Sequence, residues 1–342
     1  MTRTRVFFPA LIIVATLGSC RGGCRRGDDR AATVAGRLAL FPLGTKVVAA
    51  IDAARLRASP AAAKLAAQAQ QNPADQHEIE EFARRTGFDP LKQLGSITVA
   101  FPEEARAHGE VGMVLRADDL DETRLVAYAR DQLQKSGDDL VSRPHGRFTL
   151  WSSKRDPDTV GFFIDRQTFA LGAGGWGEKM ADLAESGRPV DSAATDVDLV
   201  NLVERAAGTH AVWAAAIVPE STRKTLTADP RFSDAASILT LSAGIDLAKG
   251  LDGVLLADMA TAAEAKSLAL KVSESLRDSK RNPQVLMLGL GPYLDGVTAS
   301  AKDHAFELHA TLTEPALDDL LNRLGGLLSL LHSGAPLPAL PH

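Results

Sequence analysis

The chain has little cysteine. Its two cysteines are Cys20 and Cys24, and none follows in a protein of 342 residues. The body downstream is therefore expected to fold without a disulfide and to rely on its core. Their spacing, Cys20-Arg-Gly-Gly-Cys24, matches neither a redox CxxC nor a zinc site, and it leaves Cys24 as a free thiol, a second acylation site or a partner in an intermolecular bridge. Aromatics make up 5% of the chain, so Trp151, Trp176 and Trp213 read as core or rim residues before they read as a sugar platform. Positive charge is also lacking. The formal net charge is −5, and loss of Arg3 and Arg5 with a cleaved leader would make it −7, which argues against nucleic acid as a partner. No apolar run is long. The best, Val6 to Leu17, is about a dozen residues against the ~20 that span a bilayer, and Pro9 interrupts it.

What is there begins at the N-terminus. Met1 to Arg5 is short and basic, the apolar run follows, and Leu17-Gly18-Ser19-Cys20 closes it. That order resembles the signal and lipobox of bacterial lipoproteins. The resemblance implies cleavage before Cys20, lipidation (palmitate among the chains) on that cysteine, and anchoring on a membrane of the cell envelope. Several acyl chains at about 0.8 kcal/mol per buried CH₂ make such an anchor stable. Arg21 stands where an aspartate would signal inner-membrane retention in Gram-negative lipoproteins, so the address expected from the resemblance is the outer membrane, on the periplasmic route. Arg21, Arg25, Arg26 and Arg30 are diluted by Asp28 and Asp29, and the segment reads as a tether.

The organisation expected is a signal peptide at 1–19, a lipidated flexible tether at 20–38, a first α+β unit at 39–187, a second at 188–332 and a disordered, Pro-rich tail at 333–342. The duplication is read from element order. Gly44 to Ile51 and Gly208 to Trp213 open the two units as apolar strands. A helical region follows each, from Ser59-Pro60 to about Arg85, broken by Pro73, and from Ser221. Ser96-Ile97-Thr98-Val99 corresponds to Ser237-Ile238-Leu239-Thr240, and Gly112 to Asp118 corresponds to Gly253 to Asp258. Each unit continues with a helix, opened by Asp118-Asp119 in the first and carrying Ala265, Leu268, Ala269, Val272 and Leu276 in the second. Strands with period-two alternation then follow, and a closing helix. In the first unit these strands are Phe148 to Ser152, Val160 to Ile164 and Thr168 to Leu171. In the second they are Gly296 to Ala301 and Ala305 to Leu312. Short turns between strands predict antiparallel pairing. The fold class is α+β: two tandem similar units, antiparallel sheets with helices packed on one face.

The opening Phe41-Pro42-Leu43-Gly44-Thr45-Lys46-Val47-Val48-Ala49-Ala50-Ile51-Asp52, followed by Leu56-Arg57-Ala58-Ser59-Pro60, resembles that of bacterial envelope proteins and lipoproteins of unknown function. The likeness covers about twenty residues. It implies an exported, sheet-rich domain and brings no catalytic residues.

No motif for chemistry survives its context. Gly172-Ala173-Gly174-Gly175-Trp176-Gly177 fits G-x-G-x-x-G, but its strand belongs to a hairpin rather than a βαβ unit, and Leu312-Thr313-Glu314-Pro315 at the equivalent turn has no glycine. His77-Glu78-Ile79-Glu80-Glu81 lacks the second histidine of HExxH. His304 and His309, five apart on a predicted strand, face opposite sides. Asp118-Asp119, Asp138-Asp139 and Asp318-Asp319 read as caps, turns or helix surface. No catalytic, cofactor-binding or metal residue is expected, and no cofactor. The reading is a lipid-anchored, non-enzymatic binding or structural protein, its partners a membrane through Cys20 and an envelope protein. The alternatives are a carrier or sensor of an apolar ligand, suggested by the small-residue strand Ala211 to Val218 and the leucine-rich last helix, and an enzyme.

Overall fold

The computed structural model describes residues 34–69, 73–103, 109–208, 210–228 and 233–332. The signal, Cys20, Cys24, most of the tether and the tail from 333 lie outside the described residues.

In chain order the first half runs α1 (Val34–Leu38), β1 (Thr45–Asp52), α2 (Ala53–Arg57), α3 (Pro60–Ala69), α4 (Pro73–Thr86), α5 (Pro90–Gln93), β2 (Leu94–Pro102), β3 (Val111–Ala117), α6 (Glu122–Lys135), β4 (Leu140–His145), β5 (Phe148–Ser153), β6 (Val160–Asp165), β7 (Thr168–Ala173) and α7 (Trp176–Ser186). The second half runs α8 (Val197–Ala207), β8 (Val212–Ile217), α9 (Glu220–Ala228), β9 (Ile238–Asp246), β10 (Gly250–Met259), α10 (Ala262–Arg281), α11 (Pro283–Met287), β11 (Val297–Lys302), β12 (Ala305–Thr313) and α12 (Glu314–His332).

All twelve strands form one sheet, ordered β11-β12-β10-β9-β8-β1-β2-β3-β7-β6-β5-β4, and every registered pair is antiparallel. The order repeats outward from the centre. β1-β2-β3-β7-β6 on one side corresponds to β8-β9-β10-β12-β11 on the other, and the hairpin β4-β5 is an addition to the first half. The duplication thus reaches topology, and the fold is α+β. The two halves do not form separate sheets. They join edge to edge where β1 pairs with β8, from Val47 opposite Ala216 to Ile51 opposite Val212.

The helix starts show why these segments fold locally. Asp52, Asp89, Asp121, Asp196 and Asn282 each place a side-chain oxygen on a backbone N–H of the first turn of α2, α5, α6, α8 and α11. The cap of α6 is Asp121 rather than the Asp118-Asp119 pair, which precedes it. Ser59 accepts from Ala62 N ahead of Pro60, as the sequence suggested.

The registers assign each side chain to a face. On one face lie Val48, Ala50, Ala100, Val114, Ala170, Phe162, Leu150, Trp213 and Ala215, all buried in one cluster beneath Leu38 of α1, Trp176 and Met180 of α7, and Leu199, Leu202 and Val203 of α8. On the other face, Leu115 with Ile97, Phe163 and Phe169 packs with Phe82 of α4 and Tyr128 of α6. Ala257, Leu241, Leu255, Phe306 and Leu308 pack with Ala265 and Ala269 of α10 on that same face. The first half is therefore covered on both faces, not on one. Only the outer strands of the second half, β10, β12 and β11, keep the expected one-sided cover: their other face presents Asp252, Glu307, Thr311, Thr298 and Ser300 to solvent.

The folded body begins earlier than residue 39. Val34–Leu38 is helical, and Leu38 and Phe41 are wholly buried. The 188–207 stretch is ordered too. Pro42 bridges to Ser192, and α8 lies against β8 and β9. α1 before β1 and α8 before β8 are corresponding elements.

Candidate functional site

Two concavities lie among the described residues. The larger, about 440 Å³, is lined by Lys271, Glu274, Ser275, Asp278, Ser279 and Asn282, all of α10 or its cap, and is a surface groove along one helix. The smaller, about 190 Å³, lies at one end of the seam between the halves, among Val34, Arg37, Asp52, Arg55, Glu204, Ala207, Gly208 and His210.

The second is the better built. Asp52 ends β1, donates its N–H to Ala211 O at 2.7 Å and accepts from Arg55 N at 2.9 Å. Arg55 reaches across the seam to His210 O at 3.2 Å. The His210 ring sits over Gly244, where any Cβ would stand 2.2 Å from Nδ1, and that nitrogen is 2.9 Å from Ala206 O. A carbonyl can only accept, so Nδ1 donates this hydrogen bond. Arg37 and Glu204 complete a wall of balanced charge. Ligand pockets are usually ~300–1,000 Å³, and this one, at about 190 Å³, is smaller.

Carboxylates with displaced pKa values all have structural partners. Arg205 and the Thr240 hydroxyl hold Asp258 below the usual range, against partial burial; the Arg205 Nη2 to Asp258 Oδ2 distance is 2.8 Å. Burial would raise Asp196, but Lys46 Nζ at 2.9 Å and the N–H groups of the α8 start outweigh it and lower it. Burial likewise opposes, and the Ser153 hydroxyl with the Asp139 and Arg155 N–H groups overcomes, so that Asp138 is lowered. Burial lowers Arg57, which donates to Leu94 O while Asp118, Asp52 and Asp89 favour its charge. These are caps, turns and cross-strand ties.

The residues singled out in the sequence are dispersed. His77 is exposed on α4 and His304 lies in the β11–β12 turn, off the strand on which it was expected. His309 on β12 meets Asp252 on β10, Nε2 to Oδ1 2.7 Å, an exposed cross-strand pair that the sequence did not suggest because it depends on register. Among the described residues no three His, Cys, Asp or Glu side chains converge as a metal site. Trp176 and Trp213 are core, and Trp151 donates to Glu122 Oε1 at 3.3 Å.

The glycine motif has a steric task. Gly174 and Gly175 adopt φ of 62° and 81° to turn from β7 into α7. A Cβ on Gly172 would lie 2.3 Å from Gly177 N, and one on Gly177 would lie 2.7 Å from Val160 Cβ. On the adjacent strand a Cβ on Gly112 would lie 2.9 Å from Met180 Sδ and 2.9 Å from Trp176 Cε3. These glycines let α7 lie directly on the sheet. The strand Ala211 to Val218 is likewise accounted for by packing, as β8 at the centre of the sheet with Trp213 and Ala215 in the main core.

No protein-family model matches the chain. No curated protein sequence matches it. Solved structures with a similar course of the chain include crystal form I of TP0453, 10% identical, TM-score 0.42, and crystal form IV of TP0453, 13% identical, TM-score 0.45; each comparison covers 85% of this chain and 96% of the other.

Proposed function

We propose that this is a lipid-anchored protein of the cell envelope, held to a membrane through Cys20, that acts as a non-enzymatic binding or structural element. One observation carries the reading: Leu17-Gly18-Ser19-Cys20 at the end of a short apolar run behind a basic start. Two structural features support it. Among the described residues no helix is long and apolar enough to cross a membrane, so attachment falls to the N-terminal segment. Thirteen residues separate Cys20 from Val34, a reach of at most ~45 Å, enough for the body to stand off a lipid surface. The non-catalytic part is supported by the site geometry. General acid–base chemistry needs positioned titratable groups in a cleft, and the carboxylates with displaced pKa values here are each held by hydrogen bonds or ion pairs. The proposed address is the outer membrane.

The test is intact-mass and peptide analysis of the protein extracted from membranes in detergent. The expected result is a mature N-terminus at Cys20 bearing thioether lipid and acyl chains. A mature chain starting elsewhere, or an unmodified Cys20, would overturn the anchor. Co-extraction of an envelope protein in stoichiometric amount is the expected partner signature.

A further inference from the structure

We propose that the α10–α11 corner is a second, non-covalent membrane contact that docks on an anionic lipid surface. The inference rests on the lipid-anchor reading for its orientation and on the following geometry for its chemistry.

The exposed large apolar side chains are scattered singly except at two places. In one of them three are consecutive: Leu286, Met287 and Leu288, 59%, 57% and 40% exposed. They close the short helix α11, which Asn282 caps and Pro283 begins, so the backbone that presents them is fixed. A basic element leads into them. The last turns of α10 carry Arg277 and Arg281, exposed and four residues apart, with no ion pair among the described residues. Lys280 pairs with Asp295 at 2.7 Å, and the further acids beside the two arginines are Asp278 and, one turn earlier, Glu274, which share their groove with Lys271. An apolar tip beside free guanidinium groups is the composition of an interfacial anchor: the apolar side chains enter the headgroup boundary, and the arginines meet lipid phosphates.

Topology places this tip where the anchor would be. β1 ends at Asp52, β8 begins at Val212, β9 ends at Asp246, β10 begins at Gly250, β12 ends at Thr313 and β11 begins at Val297, all at one end of the sheet. α10 starts at the opposite end, after Met259, and its twenty residues carry the chain back, so α11 hangs from that first end. Val34, where the tether joins the body, lines the concavity with Asp52, Gly208 and His210 at the same end. The lipid anchor and the tip thus approach a membrane from one side. The second apolar place, Leu43 and Val190, 58% and 68% exposed, lies at the far end, where Leu43 N meets Asp191 O. Exposed Asp191 and Asp198 outnumber Arg188 there, the wrong sign for anionic lipid.

The test uses the mature-length chain from position 20 with Cys20→Ser, so that no lipid is attached. It is co-sedimented with vesicles mixing phosphatidylethanolamine and phosphatidylglycerol, and with vesicles of phosphatidylcholine alone. Binding is expected to the anionic vesicles and to weaken with salt. Leu286→Ser/Met287→Ser/Leu288→Ser should reduce it by about a hundredfold or more, and Arg277→Gln/Arg281→Gln by about tenfold. Leu43→Ser/Val190→Ser should leave it unchanged. All these positions are exposed, and circular dichroism checks that each variant folds. No binding by the parent chain, or equal binding by the triple variant, overturns the proposal, including the case in which the tip instead receives a protein. Failure of the anchor reading is read separately, from the mass of Cys20 in the native protein.

Discussion

Gly172→Ala is the sharpest perturbation of this fold, because the added atom has nowhere to go. Gly172 lies on β7 facing α7, and its new Cβ would stand 2.3 Å from Gly177 N, 2.6 Å from Gly177 Cα and 2.7 Å from Trp176 C. All three are backbone atoms of the first turn of α7, so no side chain can rotate away and the helix must lift. Lifting α7 loosens Trp176, Met180 and Ala181, which are 3%, 0% and 0% exposed in the main core. Overpacking of this kind costs about 1–3 kcal/mol, and a backbone clash belongs at the upper end. Gly175→Ala separates strain from space. Nothing lies within 4 Å of its Cβ, but its φ is +81°, so the cost is the left-handed penalty of about 1 kcal/mol. Gly253→Ala is the control, with negative φ and its nearest neighbour at 3.7 Å. In thermal unfolding followed by circular dichroism, one kcal/mol shifts the midpoint by about 2–4 °C for large domains. Gly172→Ala should therefore lower it by about 5–10 °C, Gly175→Ala by about 2–4 °C and Gly253→Ala by almost nothing. A Gly172→Ala protein that melts with the parent would refute the steric account. Saturable nucleotide binding by the parent, lost in Gly174→Val, would return the motif to a ligand.

Trp213 is 2% exposed at the β1–β8 seam and shares one cluster with residues of both halves, so Trp213→Ala should cost about 3–5 kcal/mol and the parent should unfold in one transition by far-UV and tryptophan signals; two separate transitions would show that the halves fold independently. Asp258 and Asp196 have lowered pKa values in the folded state, so the stability they contribute is present above the unfolded carboxylate value of about 3.9 and is lost as pH falls through the folded values. Urea titrations between about pH 2 and 6 should show stability rising with pH, less steeply in Arg205→Met, which removes the charged partner of Asp258; an unchanged slope would discount that pair. Cys20→Ser in the full-length chain should leave the precursor unprocessed or release the protein from membranes, and fractionation with unaltered retention would remove the lipobox.

Strands and most helices were legible because their signals are local. Ala305 to Leu312 alternates with period two, and Ser59-Pro60 announces a helix. β4 went unread because Leu140 to His145 has no apolar face and contains Pro144; an edge strand needs neither a buried face nor every N–H. α8 was readable in principle, from Asp196 as cap and Leu199, Leu202, Val203 and Ala206 at helical spacing. His309 and Asp252 are 57 residues apart in the chain, so no spacing rule could bring them together.

The sequence by itself determined the repeated element order, the antiparallel hairpins and the Ser59-Pro60 helix start, and it carries the N-terminal pattern that resembles a lipobox, since each depends on neighbours within a few turns of chain. Tertiary structure alone decided that the two halves share one sheet, that helices cover both faces of the first half, and that Val34 and the α11 tip lie at the same end. Those outcomes depend on which edge pairs with which, and strand alternation names an inward face without naming the partner that covers it. β1 and β8 carry apolar residues on both sides, Ala49 and Ala50 against Ala214 and Trp213, and that two-sided apolar pattern is the trace the joint left in the sequence.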